Sequence, residues 1–495
     1  LEMDNLKVGS FFSQMLLRMV PFTAGGQQDD NFGSTGSYQH FQGLNSDWYS
    51  GYIGPTGTWR SGNHNANYNF SGTWGNTMWR QNFTQIMPAW QKVSQNAKAM
   101  NLPHVAALAD VVKVLAMHRV TDYYGPMPYS GFSQGSLKAG YDSQQDVYKM
   151  FFAELDNAIE VLTPYAQSGS KIMSNYDYIY QGDASKWAKL ANTLRLRLAL
   201  RIAYADAKLA QQEAEKSAQS SVGFLERPED RAIVSGITIV NPLWEQGESW
   251  NEERMSAAMD SYLNGYGDPR VSKYFRAAGD GKFHGVRVGV GFTNNKDWTG
   301  DKISKINVSQ STSPVYFTAA ESYFDRAEAQ LRGWNMGGSA KSFYEAGIKA
   351  SFAELGITGG VDAYITDNVK TPADFVDNSG HGNDIPAMSK VTVAWDEGAN
   401  FETKLEKIIT QKWIANFTIS PEGWAEYRRT GYPKLFPIVK NNSNGIISSD
   451  LQIRRMPYPS SESEDNADAY NNGLKLLGGP DNGATKLWWD KNPNH

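Results

Sequence analysis

Residues 404–435 read KLEKIITQKWIANFTISPEGWAEYRRTGYPKL, and this stretch constrains the fold of the 495-residue chain most tightly. Leu405, Ile408, Ile409, Lys412, Trp413 and Phe417 recur at helical spacing, so one apolar face runs down a first helix. Ser420 then Pro421 predicts an N-cap followed by proline at the first helical position, which starts a second helix. Gly431 and Pro433 end it.

The same periodicity recurs upstream. A short amphipathic helix is predicted over 6–20, and longer ones over 79–99, 103–123, 143–162 and 184–205. Ser143 and Asp146 open the fourth of these as a variant of the capping box, and Val147, Phe151, Leu155, Ala158 and Leu162 form its stripe. Residues 316–331 and 340–355 fit a tetratricopeptide unit, two antiparallel helices in roughly 34 residues. Ala327, Ala329 and Gly333 are small residues on its first helix; Ala340, Tyr344, Ala346 and Ile348 line the second. Helical pairs thus cover about 79–205, 316–355 and 403–430. Residues 27–76, 222–315 and 359–400 are irregular, and the β-branched runs at 233–240 and 285–292 predict hairpins or loops.

Composition removes several function classes. A formal charge of −5 argues against a nucleic-acid partner, which needs a basic face. No run of eighteen apolar residues exists; the best, 105–117, is broken by Asp110 and Lys113. The absence of cysteine removes thiol catalysis, zinc–thiolate sites and disulfides.

Local motifs weigh toward structure rather than chemistry. Gly131-Phe132-Ser133-Gln134-Gly135 matches the G-x-S-x-G elbow, but a helix and a proline-rich turn precede it where the elbow needs a strand. Glu321, Asp325 and Glu328 share one helix face; a glycosidase needs two carboxylates across a sugar, yet such a face in a repeat normally pairs with Arg or Lys of a neighbour. His104 and His118 sit about 21 Å apart along one predicted helix, too far to share a metal. Residues 377–384, DNSGHGND, hold calcium-compatible oxygens without EF-hand spacing, so a structural calcium ion is the single cofactor left open. Trp413, Trp424, Arg428 and Arg429 read as packing and buried ion pairs, because their spacing is helical.

The 13% aromatic content includes many rings outside any period. A run of irregular chain as long as 27–76 persists in a compact domain when it is functional or disordered, and its aromatics favour function. Tyr49, Tyr52, Trp59, Arg60 and Trp74, with Trp48, Trp79, Asn63 and Asn65 alongside, are the first binding candidates; Trp244, Trp250 and Trp298 could complete a platform from the second irregular region. A pyranose packs its C–H face on such rings while Asn and Arg bond its hydroxyls. The competing reading makes them staples of a long loop.

The segment 404–435 closely resembles the C-terminal signature of the SusD/RagB family, nutrient-binding outer-membrane lipoproteins of Bacteroidetes. Other stretches resemble the family in the same order: HRVTDYYGPMPY (118–129), Asp268-Pro269-Arg270, YFTAAESYFDRAEAQLRGW (316–334), RRMPYPSSESEDNADAYN (454–471) and Leu487-Trp488-Trp489-Asp490. The resemblance implies one mainly α-helical domain over 1–495, about four helix pairs in a tetratricopeptide-like superhelix, with the irregular segments and small β hairpins forming a ligand-binding half. It implies capture of an oligosaccharide at the cell surface for polysaccharide utilisation, without catalysis, and delivery to a SusC-like TonB-dependent transporter. Family members are anchored through an acylated N-terminal cysteine; the chain opens at Leu1 without one, so the expectation is a chain beginning downstream of that lipid anchor. The alternatives are an oligopeptide ligand and, from other classes, a glycoside hydrolase or a repeat scaffold for a protein partner.

Overall fold

The computed structural model describes residues 8–25, 32–70, 72–134, 139–291, 296, 298 and 301–495. Its helices are α1 (Ser10–Arg18), α2 (Met87–Ala99), α3 (Pro103–Tyr124), α4 (Gln144–Gln167), α5 (Ala184–Arg201), α6 (Ala207–Gln219), α7 (Ala257–Tyr266), α8 (Ala319–Leu331), α9 (Ala340–Glu354), α10 (Phe401–Ala415) and α11 (Ser420–Thr430), with shorter turns between. Four successive pairs, α3/α4, α5/α6, α8/α9 and α10/α11, make the helical half.

Local chemistry accounts for most boundaries. The predicted stripe of α4 is buried, and Ser143 caps it by accepting the Asp146 N–H at 3.1 Å. The reciprocal half of the capping box is missing, because the Asp146 carboxylate takes the Ser143 hydroxyl instead (2.7 Å). Ser339 and Ser342 complete a true box at the start of α9. Helices α8 and α9 run antiparallel: the Ala320 N–H at the start of one donates to Glu354 at the end of the other (2.9 Å). Gly347 permits their approach, since a Cβ there would stand 2.7 Å from the Phe324 ring.

Three expectations need correction. The cap of α11 is Ile419 rather than Ser420, which is already helical; the Ile419 carbonyl accepts the Glu422 N–H (3.1 Å) and the helix stops at Gly431 in the left-handed region (φ 82°). Helix α6 escapes the periodicity because its buried stripe is only Ala210, Ala214 and Ser217. Helix α7 lies inside the supposedly irregular 222–315, between a Ser256 cap and Gly267.

The small β pieces also pair differently from hairpins. All are two-stranded and antiparallel: β1 (Thr23–Ala24) with β4 (Ile239–Val240), β2 (Ile53–Pro55) with β5 (Glu253–Met255), β3 (Ala232–Ile233) with β8 (Val315–Phe317), and β6 (Phe275–Arg276) with β7 (Lys305–Ile306). The run 233–240 cannot fold on itself because Val234 and Ser235 donate to the distant carbonyls of Pro314 (3.1 Å) and Tyr178 (2.7 Å). Of 285–292, Val286 makes only an isolated bridge with Ser256, and Phe292 lies outside the described residues. One contiguous core, from Val8 to Trp489, runs through both halves.

Candidate functional site

The β2–β5 ladder joins the first two irregular segments. It pairs Ile53 with Met255 and Pro55 with Glu253, and the N–H groups of Thr56 and Gly57 extend it to the Glu252 carbonyl at 2.7 and 3.2 Å. The Thr56 hydroxyl donates to the Asn251 carbonyl at 2.9 Å. This seam brings the turn that carries Trp250 alongside the turn that carries Trp59. Arg254 shapes the Trp250 turn, donating to the Gly247 carbonyl (2.9 Å) and the Asn251 side chain (2.7 Å).

Trp59 folds back over Gly57, where a Cβ would stand 2.5 Å from the indole. Its ring lies 5.6 Å from Trp48 and 6.3 Å from Trp74, the latter nearly perpendicular at 82°. His64 meets Trp59 edge-on at 5.5 Å, and His40 stacks on Trp74 at 6.2 Å. Trp59 and Trp74 are half-buried, Trp250 is 37% exposed, and Arg60 reaches solvent. Burial, helped by nearby Arg60, pulls His64 down to about 4; burial and Arg80 pull His40 down. Both imidazoles are therefore neutral at neutral pH and serve as rings.

Carboxylates underlie this cluster. Trp48, fully buried, donates its indole N–H to both oxygens of Glu253 at 3.2 and 3.1 Å. Gln39 donates to Glu252 at 2.6 Å. Burial drives Glu252 up to about 7 against the hydrogen bonds of Gln39 and Trp59, and drives Glu253 well above the ordinary carboxyl range. Asp47, holding Tyr38 (2.8 Å) and Gln42 (3.1 Å), is pushed by burial to about 6.

The structure sorts the sequence candidates. It brings Trp59 and Trp74 into one cluster, with Arg60 exposed next to Trp59 and Trp250 exposed on the turn held to Thr56. It withdraws Tyr49 and Tyr52, which are 3% and 0% exposed: the Tyr52 hydroxyl donates to the Trp413 carbonyl (2.6 Å) with its ring stacked on that indole, and Tyr49 packs on Trp424. Trp48 and Trp79 are likewise buried. Trp298 belongs to a separate small cluster with Val286 and Ile303, its face covered by His381 at 4.2 Å. Trp244 is half-buried on the turn Pro242–Trp244 and makes no ring contact with the cluster among the described residues. Asn65 is buried and holds the Trp74 carbonyl at 2.6 Å, whereas Asn63 accepts from Asn69 (2.8 Å) and Asn442 (2.9 Å) in a polar hollow beside Arg60. Gln39, His40, His64 and Glu252 escaped the sequence reading. Only Glu252, two residues from Trp250, offered a hint.

The carboxylate trio on α8 is wholly buried and spoken for. Arg197 grips Glu321 with two bonds of 2.7 Å, Lys412 holds Asp325 at 2.7 Å, and Arg429 grips Glu328 with two of 2.6 Å. No substrate can pass between them, and Glu321→Ala would report on folding rather than affinity. In the 377–384 loop the Asp377 carboxylate accepts from Ser379 (2.9 Å to N, 2.5 Å to Oγ) and Asn383 (3.2 Å to N, 2.7 Å to Nδ2), so its oxygens close the loop on itself. Among the described residues no group of three or more His, Cys, Asp and Glu is arranged to hold a metal ion. Ser130–Gln134 forms a 3₁₀ turn after α3 and its turn rather than after a strand, and Gly135 lies outside the described residues.

The whole-chain comparisons agree with this architecture. The chain belongs to the SusD-like family, described as SusD and RagB outer membrane lipoproteins, whose model matches residues 1–490. A chitin-binding SusD homologue from Flavobacterium johnsoniae is 39% identical, with 98% of this chain and 99% of that one covered and a TM-score of 0.92. SusD homologues from Bacteroides vulgatus (37% identity, 99% of each chain, TM-score 0.91) and Bacteroides uniformis (35%, 99% and 100%, TM-score 0.90) share the fold. Among curated proteins, none matches the chain. Membership places the protein at the outer membrane, and among the described residues no helix is long and apolar enough to cross a membrane.

Proposed function

We propose that the chain captures an oligosaccharide at the cell surface by stacking it on the Trp59–Trp74 seam, and releases it unaltered to a SusC-like TonB-dependent transporter. One observation carries the binding step: two half-buried indoles stand nearly perpendicular, 6.3 Å apart, with exposed Arg60 next to Trp59 in the chain and exposed Trp250 on the turn that pairs with Thr56. Sugar C–H faces lie on indoles, while Arg60, Asn63 and Glu252 offer donors and acceptors to hydroxyls. The 39% identity to a chitin-binding homologue makes chito-oligosaccharides the first ligands to try. The α8 carboxylate trio is ion-paired inside the core and offers no acid–base pair to a ligand. Delivery rests on family membership alone. The reading needs no cofactor, so EDTA should leave affinity unchanged.

Calorimetric titration of chitohexaose and of a peptide pool against the parent and Trp59→Ala tests it. Removal of a stacking ring at a binding hot spot costs on the order of 2 kcal/mol, about thirtyfold in Kd. Peptide binding without glycan binding would transfer the site to the oligopeptide reading. Glycan cleavage would overturn the carrier role.

A further inference from the structure

Where the loop half meets the helices, a cavity of about 350 Å³ lies apart from the tryptophan seam. That volume falls in the roughly 300–1,000 Å³ range of small-molecule sites. Val20, Leu243, Val308, Leu355 and Phe417 make its walls apolar. Into this surface comes Arg119 of α3, only 2% exposed. Its Nε has no hydrogen-bond partner, and Nη2 reaches only the Tyr316 carbonyl at 3.4 Å. Glu422, the acid whose charge acts on Arg119, is already committed to His118 (2.8 Å), Arg197 (3.3 Å) and Arg201. Burial, with Arg197 nearby, pulls the Arg119 pKa below the ordinary guanidinium value. Arg231 and Lys273 also line the cavity, and no Asp or Glu among the described residues does. A buried cation with no carboxylate paired directly to it is costly, so the site is incomplete as it stands.

We propose that this cavity binds an amphiphilic organic acid, its carboxylate paired with Arg119 and its alkyl or aryl body against the Leu243–Phe417 wall. A single planar guanidinium fork matches a carboxylate. None of Trp59, Trp74 and Trp250 lines the cavity, which separates this site from the tryptophan seam.

The test is calorimetry of octanoate and its neutral amide, octanamide, against the full chain, Arg119→Met, Arg119→Lys and Leu243→Trp, with melting curves of each. Octanoate should saturate one site at about 1 mM or below, and octanamide should bind at least about tenfold more weakly. Arg119→Met should lose octanoate by at least about tenfold while its Tm stays level or rises, because a buried charge with no carboxylate paired directly to it has gone. Arg119→Lys should keep part of the affinity. Leu243→Trp should block octanoate by filling the wall with Arg119 intact. Equal affinity for octanoate and octanamide, no binding of either, or octanoate binding that survives both Arg119→Met and Leu243→Trp overturns the proposal. So does a fall in Tm for Arg119→Met combined with unchanged octanoate affinity in Leu243→Trp.

Discussion

The buried carboxylates shared by α8 and α11 and those beneath the tryptophan seam are treated in opposite ways. Between the helices they face cations. Burial would raise Glu328, yet Arg429 and Arg332 outweigh it and hold the group at about 2; Glu321 and Glu422 are held down by Arg197, Lys412 and Arg201 in the same manner. Asp325, raised to about 7 by burial even with Lys412 beside it, departs from this pattern, as do Glu354 at the end of α9 and Glu154 of α4, which burial also raises. Beneath the tryptophan seam, Asp47, Glu252 and Glu253 find only neutral donors, and burial pushes all three up. The contrast separates two tasks. Ion pairs between α5, α8, α10 and α11 fix the helices against one another, while the loop half keeps acids that can gain or lose a proton near the rings where ligand is proposed to sit.

The largest expected effect tests the helical side of that contrast. Glu328→Gln removes the charge between Arg429 and Arg332, leaving Arg332 without its carboxylate and Arg429 with Glu426 alone. Breaking one partner of a buried pair costs about 3–5 kcal/mol, measured by urea denaturation at pH 7. Glu253→Gln should be near neutral, because Trp48 donates equally well to an amide oxygen. Equal losses in the two variants would erase the distinction. Acid titration sharpens it. Glu328 lies below its ordinary 4.5, so its stabilisation is full above that pH and disappears as pH falls toward about 2. Asp47 and Glu252 lie above their ordinary values, so the folded state binds their protons more tightly and stability declines as pH rises through about 4 to 7.

The second expected effect, about thirtyfold in glycan affinity, belongs to Trp59→Ala; Trp74→Ala should follow, since Asn65 holds its backbone and His40 supports its ring. Tyr52→Phe should leave affinity unchanged and instead cost about 1 kcal/mol of stability through the lost bond to the Trp413 carbonyl. If Tyr52→Phe weakened glycan binding and Trp59→Ala did not, the division between staple and platform would be reversed.

This division marks how far the sequence could be read. Helical stripes and the family signatures are local patterns, so the pairs α3/α4, α8/α9 and α10/α11 were legible, as was the structural role of Arg429. The irregular segments follow no period. Their ladders join Ile53 to Met255 and Thr23 to Val240 across some two hundred residues, and nothing in either strand names its partner. Aromatic residues in such segments look alike in one dimension: Tyr52 and Trp59 lie seven residues apart, one stacked on Trp413 in the core and the other half-exposed. Only the register of β2 against β5 tells them apart. That register also reveals Glu252, whose backbone carbonyl closes the ladder and whose side chain stands beside the rings.

Glu252 supplies the smallest and most specific expectation. Its carboxyl, raised from 4.5 to about 7, is half-buried, so solvent screening leaves about 1 kcal/mol of the shift as linkage to folding. The sign is fixed by the raised value: the protonated form is favoured in the fold, and the penalty grows as pH climbs from about 4.5 to 7. Glu252→Gln mimics the protonated state and can still accept from or donate to Gln39 and Trp59. The variant should therefore flatten the dependence of stability on pH in that window, matching the parent near pH 5 and exceeding it by about 1 kcal/mol near pH 8. Where a sugar hydroxyl or amide meets this group, glycan affinity should bend near pH 7 in the parent and stay level in the variant. A parent whose stability and affinity both remain flat from pH 5 to 8 would show that Glu252 is charged throughout, and that the two sets of buried carboxylates are treated alike.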